Sequence, residues 1–191
     1  MTEPDVFTNR STLLVLVGGP SGAGKTTLSN HLIGGQSIGS FQIPSDLPIL
    51  RTDSRSMLQK GFGGGVLLVE FATNRLVESH HKMQAKLGIP KLVALADRVI
   101  TVTYSIDKKE LLRRYRQRMA HETLRRTPEL LRYLRFGKWK GYLKLGLSND
   151  IEQGYREWRE ILAAQDSGSI EAHLVVHSSP AQPGEYFVKE A

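Results

Sequence analysis

The sequence predicts an α/β fold with a mostly parallel sheet. A continuous apolar run lies at 13–17, further strand candidates lie at 66–71 and 99–106, and segments with helical spacing lie between them. Unbroken apolar runs are typical of strands that are buried on both faces of a parallel sheet. Strands that alternate with helices therefore indicate a layered α/β fold, with helices packed on a mostly parallel sheet.

In the first third of the chain, a buried strand leads into a helix and then into a second strand. The strand at 13–17 is followed by a glycine-rich loop, and the loop by a helix over 26–33. Two glycines after residue 33 end this helix. A short apolar segment at 49–50 follows a loop rich in Gly, Ser and Pro, and it predicts the second strand.

The middle of the chain repeats this alternation. The segment 66–71 predicts a strand, 74–87 a helix, and the β-branched run 99–106 another strand. Asp107 stands where it can cap the helix that follows.

The final part of the chain predicts one more helix and one more strand. Asn149 and Glu152 have the spacing of a capping box, and an apolar stripe with helical spacing follows them. The stripe consists of Ile151, Tyr155, Trp158 and Leu162. A strand at 174–176 comes last.

Composition restricts the class of protein. The 191 residues predict a single domain over 1–191, and the net charge of +7 favours an anionic partner. Because there is no cysteine, a disulfide framework, a thiolate metal site and a cysteine nucleophile are excluded. The run at 13–17 is too short to cross a bilayer, so we expect a cytoplasmic protein without a membrane partner. The sequence does not predict an oligomeric state.

The loop after the first strand matches the phosphate-binding pattern G-x-x-x-x-G-K-[ST] from Gly19 to Thr26. Glycines let the backbone turn its N–H groups towards an anion, and the following helix presents its positive end to the same place. Lys25 would reach the β- and γ-phosphates, and the Thr26 hydroxyl would bind Mg²⁺. The residues predicted to bind nucleotide are Gly19, Ser21, Gly22, Ala23, Gly24, Lys25, Thr26 and Thr27.

Two segments resemble P-loop kinases that act on small molecules and nucleotides. GGPSGAGKTTL at 18–28 resembles the loop of guanylate kinases. ADRVITVTYSIDKKELLRRYRQR at 96–118 is similar to a segment of shikimate, gluconate and zeta-toxin-type kinases, in which a strand leads into an arginine-bearing helix and lid. The resemblance implies a five-stranded parallel sheet, use of ATP with Mg²⁺, and a lid or acceptor-covering insertion around 118–147.

Two acidic residues follow predicted strands, at the edge where ligands of open α/β sheets bind. In the kinases that this chain resembles, an acid at the position of Asp53 takes the acceptor's hydroxyl proton or holds Mg²⁺ through water. Asp53 could instead cap the next turn. Glu70 could hold Mg²⁺ in the second shell of ligands, or it could form an ion pair with Arg75. Both alternatives stay open.

Arginines are concentrated in one part of the chain, with eight of the fifteen between 113 and 135. On the helix after Asp107, Arg114 and Arg118 flank the apolar face, whereas Arg113 points elsewhere. We therefore expect Arg114 and Arg118 to neutralise charge during phosphoryl transfer, with Arg125 and Arg126 in the lid. A solvated basic helix is the alternative.

Basic and aromatic residues interleave over 132–144. Such a pattern occurs in single-strand nucleic-acid binding, but also in a helical hairpin that packs over an acceptor pocket, which we favour here. The histidines at 80 and 81 have no third ligand at metal spacing, so a structural role on the surface is expected. By resemblance, His177 lies where related kinases contact adenine.

The sequence thus predicts an ATP-dependent phosphotransferase for a small-molecule acceptor, either a nucleoside, a nucleotide or a sugar-like compound. Lys25, Asp53, Arg114 and Arg118 are the expected catalytic residues, and Thr26, Asp53 and Glu70 the expected magnesium site. The alternative is a P-loop NTPase that couples hydrolysis to binding nucleic acid or a partner protein.

Overall fold

A computed structural model of the chain describes residues 12–53, 64–125, 150–165, 168–178 and 186–190. Six strands form one sheet: β1 (Thr12–Gly19), β2 (Ile49–Asp53), β3 (Gly65–Ala72), β4 (Arg98–Ser105), β5 (Ala172–Ser178) and β6 (Tyr186–Glu190). The helices are α1 (Lys25–Ile33), α2 (Ser79–Val93), α3 (Lys108–Arg125) and α4 (Asp150–Ala163), and a 3-10 turn covers Thr73–Arg75.

The strand order is β2-β3-β1-β4-β5-β6. The first five strands are parallel, and β6 runs antiparallel to β5 at the edge of the sheet. The predicted α/β fold with a mostly parallel five-stranded sheet is therefore confirmed. The sequence did not predict β6, because its five residues mix charged and apolar side chains without the long apolar run of the central strands.

The central strand β1 separates two apolar layers. Leu13, Val15 and Val17 face the layer that contains α1 and the start of α3. Leu14 and Leu16 face the opposite layer, which contains α2 and most of α4. Residues that alternate along a strand point to opposite faces, so the unbroken apolar run of β1 reflects burial on both sides.

Helix α2 differs from its prediction at both ends. The predicted helix began at residue 74, but residues 73–75 form a 3-10 turn and α2 begins at Ser79. The prediction ended at residue 87, whereas α2 continues through Pro90 to Val93. Ile89 and Leu92 are buried in the core, so packing outweighs the low helix propensity of the Gly88 and Pro90 positions.

The cap of α3 and the apolar face of α4 agree with their predictions. The Asp107 side chain accepts a hydrogen bond from the Glu110 backbone at 2.9 Å, as expected of a capping residue. In α4, Ile151, Trp158 and Leu162 are buried. Trp158 is fully covered by the sheet and donates its indole N–H to the Thr103 hydroxyl at 3.0 Å.

Candidate nucleotide-binding site

The loop between β1 and α1 carries the predicted phosphate-binding pattern over Gly19–Thr26, and we refer to it as the P-loop. Gly22 and Gly24 have φ values of 77° and 111°, a left-handed conformation that strongly favours glycine. Gly24 is the N-cap of α1, and among the described residues no side chain caps the first turn. The first backbone N–H groups of α1 therefore remain available to an anion, at the positive end of the helix dipole.

Lys25 lies within this loop rather than in solvent. Its side-chain ammonium donates hydrogen bonds to the carbonyl oxygens of Gly19 and Pro20, both at 2.9 Å. Only 8% of the residue is exposed. Burial lowers the pKa of Lys25 to about 8, although the nearby Glu70 carboxylate raises it and Arg75 lowers it further. Lys25 is thus a desolvated cation that faces the inside of the loop.

The hydroxyl of Thr26 lies beside the carboxylate of Glu70, and the two form a hydrogen bond of 3.2 Å. Glu70 lies within β3, two residues before the last residue of the strand, and 14% of its side chain is exposed. The loop after β1 and the end of β3 therefore bring an alcohol and a carboxylate oxygen together.

The ion pair of Glu70 differs from the predicted alternative. Its Oε1 lies 2.9 Å from Nε of Arg51 in β2, whereas the sequence suggested Arg75 as the partner. The contact with Arg51 is an ion pair, and Oε1 makes no hydrogen bond with the described residues. Arg51 also donates to the side-chain oxygen of Asn30 at 2.8 Å. Glu70 therefore has Arg51 beside Oε1 and the Thr26 hydroxyl beside Oε2.

Asp53 is the last residue of β2, and its backbone pairs in register with Glu70. In parallel strands, residues in register lie side by side at the same level of the sheet. This position places Asp53 at the same edge as the P-loop. Its side chain lies outside the part of the chain that the structure describes, so its catalytic and metal-binding roles stay predictions.

The guanidinium of Arg114 contacts the P-loop from α3. It donates hydrogen bonds to the carbonyl oxygen of Ala23 and, at 3.3 Å, to the hydroxyl of Tyr104. Its Nε donates to Glu110 at 2.8 Å. Burial by itself lowers the pKa of Arg114, but the hydrogen bonds to Glu110 and Tyr104 outweigh it and raise the pKa. Arg114 therefore carries a permanent positive charge against the loop.

Glu110 is held between two arginines. Arg113 forms two hydrogen bonds with its carboxylate, at 2.6 and 2.7 Å, and Arg114 forms the third. The hydrogen bond from Arg113, helped by Arg114, lowers the pKa of Glu110 to about 2 against the effect of burial. Glu110 is consequently ionised at every physiological pH and orients the Arg114 guanidinium.

The structure also shows contacts to the P-loop that sequence reasoning missed. The Ser21 backbone N–H donates to the side-chain oxygen of Asn74 at 2.7 Å, and the Ser21 carbonyl accepts the hydroxyl proton of Tyr115. Asn74 is 3% exposed and Tyr115 is 5% exposed. The only sequence signal was the placement of Asn74 just after a buried strand, at the edge where the loop lies.

Several predicted residues have no described side chain or lie outside the described ranges. Arg118 and Arg125 are within α3, but their side chains are not described, and Arg126 falls outside the described part. The same holds for most of the predicted lid and for the basic and aromatic stretch at 132–144. Thr27 is exposed in the first turn of α1, and His177 is partly exposed in β5. Their nucleotide contacts remain predictions.

The histidine pair at the start of α2 has a neighbour that sequence spacing did not show. Glu78 Oε2 lies 3.9 Å from His80 and 3.5 Å from His81, both measured to Nε2. Among the described residues these three form the group whose ligand atoms could surround a metal ion. The centroids of the two imidazole rings lie 3.8 Å apart, and the ring planes are tilted by 39°.

A cleft of about 500 Å³ lies at the amino ends of β1, β4 and β5, away from the P-loop. Its lining includes Phe41, Ile100 and Leu174, together with the ion pair between Arg98 and Glu171. Because ligands of open parallel sheets bind at the carboxyl ends of the strands, this cleft is separate from the candidate site.

Within the described part of the chain, no helix combines the length and the apolar character needed to cross a membrane.

Comparison with known proteins found a similarity to solved structures only. No family model matches the chain, and no curated protein matches it. Among solved structures, the chain is similar to polyphosphate kinase 2 from Arthrobacter aurescens TC1, with a TM-score of 0.44 and 15% sequence identity. The similarity covers 78% of this chain and 57% of that one. A likeness of this extent assigns no activity to the chain.

Proposed function

We propose that this protein is an ATP-dependent phosphotransferase that moves the γ-phosphoryl group to a hydroxyl or phosphate of a small molecule. The observation that carries the proposal is the hydrogen bond between Thr26 and Glu70, at the mouth of a loop that also holds Lys25. A phosphate cradle, a buried cation and two adjacent oxygen ligands are the parts that phosphoryl transfer requires.

In this proposal the loop binds the nucleotide phosphates. The backbone N–H groups at the start of α1 donate to the β-phosphate, with the helix dipole adding to the attraction. The Lys25 ammonium exchanges its hydrogen bonds with the Gly19 and Pro20 carbonyls for bonds to the phosphates. Because the ammonium is already desolvated, little solvent has to be removed when it meets the phosphate.

The residues beside the loop suit Mg²⁺, which prefers oxygen ligands and retains several waters. Thr26 would contribute its hydroxyl, while Glu70 and Asp53 would contribute carboxylates directly or through water. The distance of 3.2 Å between the Thr26 hydroxyl and Glu70 Oε2 supports this role, because it brings two candidate oxygen ligands together. When bound, Mg²⁺ neutralises charge on the phosphate oxygens.

The transfer itself exchanges one phosphorus–oxygen bond for another. The acceptor oxygen bonds to the γ-phosphorus, the bond from that phosphorus to the β–γ bridging oxygen breaks, and ADP leaves. Asp53 would receive the proton of an acceptor hydroxyl. Arg114, already at the loop, and Arg118, one turn further along α3, would neutralise the transferring group. Catalysis would then depend chiefly on positioning and electrostatics.

The acceptor would be enclosed by the segment around 118–147, in a single domain over 1–191. Helix α3 supports this part of the proposal, because it starts at the P-loop and leads directly into that segment. The proposed acceptors are nucleosides, nucleotides and sugar-like compounds.

The test is ADP production from Mg-ATP with a panel of such acceptors, compared with the rate without any acceptor. One acceptor should raise turnover well above bare hydrolysis, and Lys25→Ala should abolish the increase. Lys86→Ala is the matched control. Lys86 is exposed on α2, so this substitution removes the same charge at a position away from the loop. A Lys25→Ala protein with full transfer activity would refute the proposal.

The same assay separates the alternative activity. If no acceptor raises turnover but single-stranded nucleic acid does, the protein is an NTPase coupled to nucleic acid. Such binding would weaken steeply with added salt, because each neutralised phosphate releases counterions. Replacing ATP by GTP in the panel determines the preferred base.

A further inference from the structure

The backbone of Ser21 is held from both sides at the tip of the P-loop. Its N–H donates to the Asn74 side chain at 2.7 Å, and its carbonyl accepts from Tyr115. The next residue, Gly22, has a φ of 77°, and a Cβ added there would lie 2.5 Å from the Tyr115 ring. The curvature of the loop is therefore determined by side chains outside it.

The backbone of Asn74 is held in place by the sheet and by a hydrogen-bonded turn. It lies in the 3-10 turn directly after β3, and the end of that strand pairs with the start of the loop, since Ala72 is in register with Gly19. The turn is closed by a hydrogen bond from the Leu76 N–H to the Thr73 carbonyl at 2.9 Å. Thr73 and Asn74 are both buried.

Helix α4 packs directly against this 3-10 turn. Gly154 of α4 packs so closely on it that an added Cβ would lie 2.4 Å from the Thr73 carbonyl oxygen and 3.0 Å from Asn74 Cα. Only a residue without a side chain permits this approach. The contact links α4 to the turn, and the turn to the P-loop.

We propose that Asn74 is a positioning residue, which sets the phosphate-binding conformation of the P-loop by holding the Ser21 amide. This inference rests on the proposed function, because it assumes that the loop binds nucleotide phosphates. The amide that Asn74 engages is not free for phosphate, so Asn74 acts through the loop and does not touch the nucleotide. The neighbouring N–H groups then point inward together.

The expected effect concerns nucleotide affinity. Removing the acceptor by Asn74→Leu frees the Ser21 amide, so the loop samples conformations that do not bind phosphate. We expect the loss of one buried hydrogen bond to raise both the Kd and the KM for Mg-ATP roughly five- to tenfold. The kcat changes much less, since the altered loop weakens binding of the ground state and of the transition state equally.

The experiment compares wild type, Asn74→Leu, Asn74→Asp and Thr101→Val by Mg-ATP titration, thermal unfolding and hydrogen exchange at the Ser21 amide. Thr101→Val is the matched control, because it removes a buried hydroxyl that bonds to His173 away from the loop. Asn74→Asp keeps an acceptor oxygen. We expect slow Ser21 exchange in wild type, in Asn74→Asp and in Thr101→Val, and fast exchange with weaker binding in Asn74→Leu.

Two results would overturn the inference. In the first, Asn74→Leu loses thermal stability as Thr101→Val does but binds Mg-ATP like wild type, which makes Asn74 merely structural. In the second, wild type does not bind Mg-ATP, which removes the proposed function as well. If wild type binds Mg-ATP but no acceptor is phosphorylated, only the proposed function fails, and the titration still decides the role of Asn74.

Discussion

The Lys25 ammonium lies 2.9 Å from the carbonyl oxygen of Gly19, the residue that begins the loop around it. The Lys25 ammonium thus lies close to where the motif predicts that the phosphates bind. Burial lowers the pKa of this ammonium to about 8. Charge at the site consequently changes within the range of ordinary assay conditions, which makes the proposed role of Lys25 measurable.

Nucleotide binding should be coupled to proton uptake by Lys25. Free Lys25 loses its proton as the pH rises through about 8, whereas the phosphates of a bound nucleotide stabilise the charged form and raise its pKa. Binding of Mg-ATP at pH 8.5 should therefore take up roughly 0.7 proton, and at pH 6.5 almost none from this group. Calorimetry in two buffers of different ionisation enthalpy measures the uptake.

Lys25→Arg is the control for this coupling. A guanidinium stays protonated throughout the range, so the variant should show no proton uptake at pH 8.5 from this position, even where its affinity is reduced. Equal uptake in wild type and in Lys25→Arg would mean that another group titrates.

Removing the charge of Glu70 should weaken magnesium binding. Glu70→Gln retains the size of the side chain but not the carboxylate beside the Thr26 hydroxyl. We expect the Mg²⁺ concentration for half-maximal turnover to rise roughly 10- to 100-fold, with activity partly recovered at high Mg²⁺. Glu171→Gln is the control, because Glu171 pairs with Arg98 near the amino ends of β4 and β5, away from the P-loop. An unchanged magnesium dependence in Glu70→Gln would contradict the assigned site.

Two adjacent arginines on α3 allow a matched comparison. Both bind Glu110, but within the described structure the bond to the P-loop carbonyl is made by Arg114, while Arg113 is half exposed. Arg114→Ala should lower kcat by about 10²-fold, because a positioned charge at the transferring group is lost. Arg113→Ala should stay within about twofold of wild type. Single-turnover kinetics give both values, and similar losses in the two variants would argue against a specific role for Arg114.

Two helix glycines should respond in opposite directions to alanine. At Gly88 in α2 an added Cβ meets no atom within 4 Å, so Gly88→Ala should stabilise the protein by about 0.5–1 kcal/mol through helix propensity. At Gly154 in α4 the same methyl group would meet the Thr73 carbonyl at 2.4 Å, and Gly154→Ala should destabilise by about 1–3 kcal/mol. Denaturant titration compares the two, and stabilisation by Gly154→Ala would show that α4 can move away from the turn.

Local patterns were sufficient for most of the elements. The apolar run of β1, the β-branched run of β4 and the capping aspartate at 107 each depend on neighbours in sequence, so their structure could be predicted. The ends of α2 could not, because Ile89 and Leu92 are held by the core rather than by helix propensity. The β6 strand was missed for a related reason: it is defined by its pairing with β5.

The candidate site likewise combines features that the sequence predicts with features that depend on the tertiary structure. The P-loop motif and the direction of Arg114 follow from spacing along one loop and one helix. The Arg51 partner of Glu70 and the Asn74 acceptor for Ser21 depend on β3 lying between β2 and β1, an order that no local pattern contains.

The sequence by itself therefore determined the layered α/β class, the position of the glycine-rich loop between β1 and α1, and the apolar faces of its helices. Only the tertiary structure decided which side chains support that loop, since residues 44 and 53 positions apart meet there through the order of the strands. Helix and strand periodicity depends on backbone geometry within a few residues, whereas such contacts depend on how the whole sheet assembles.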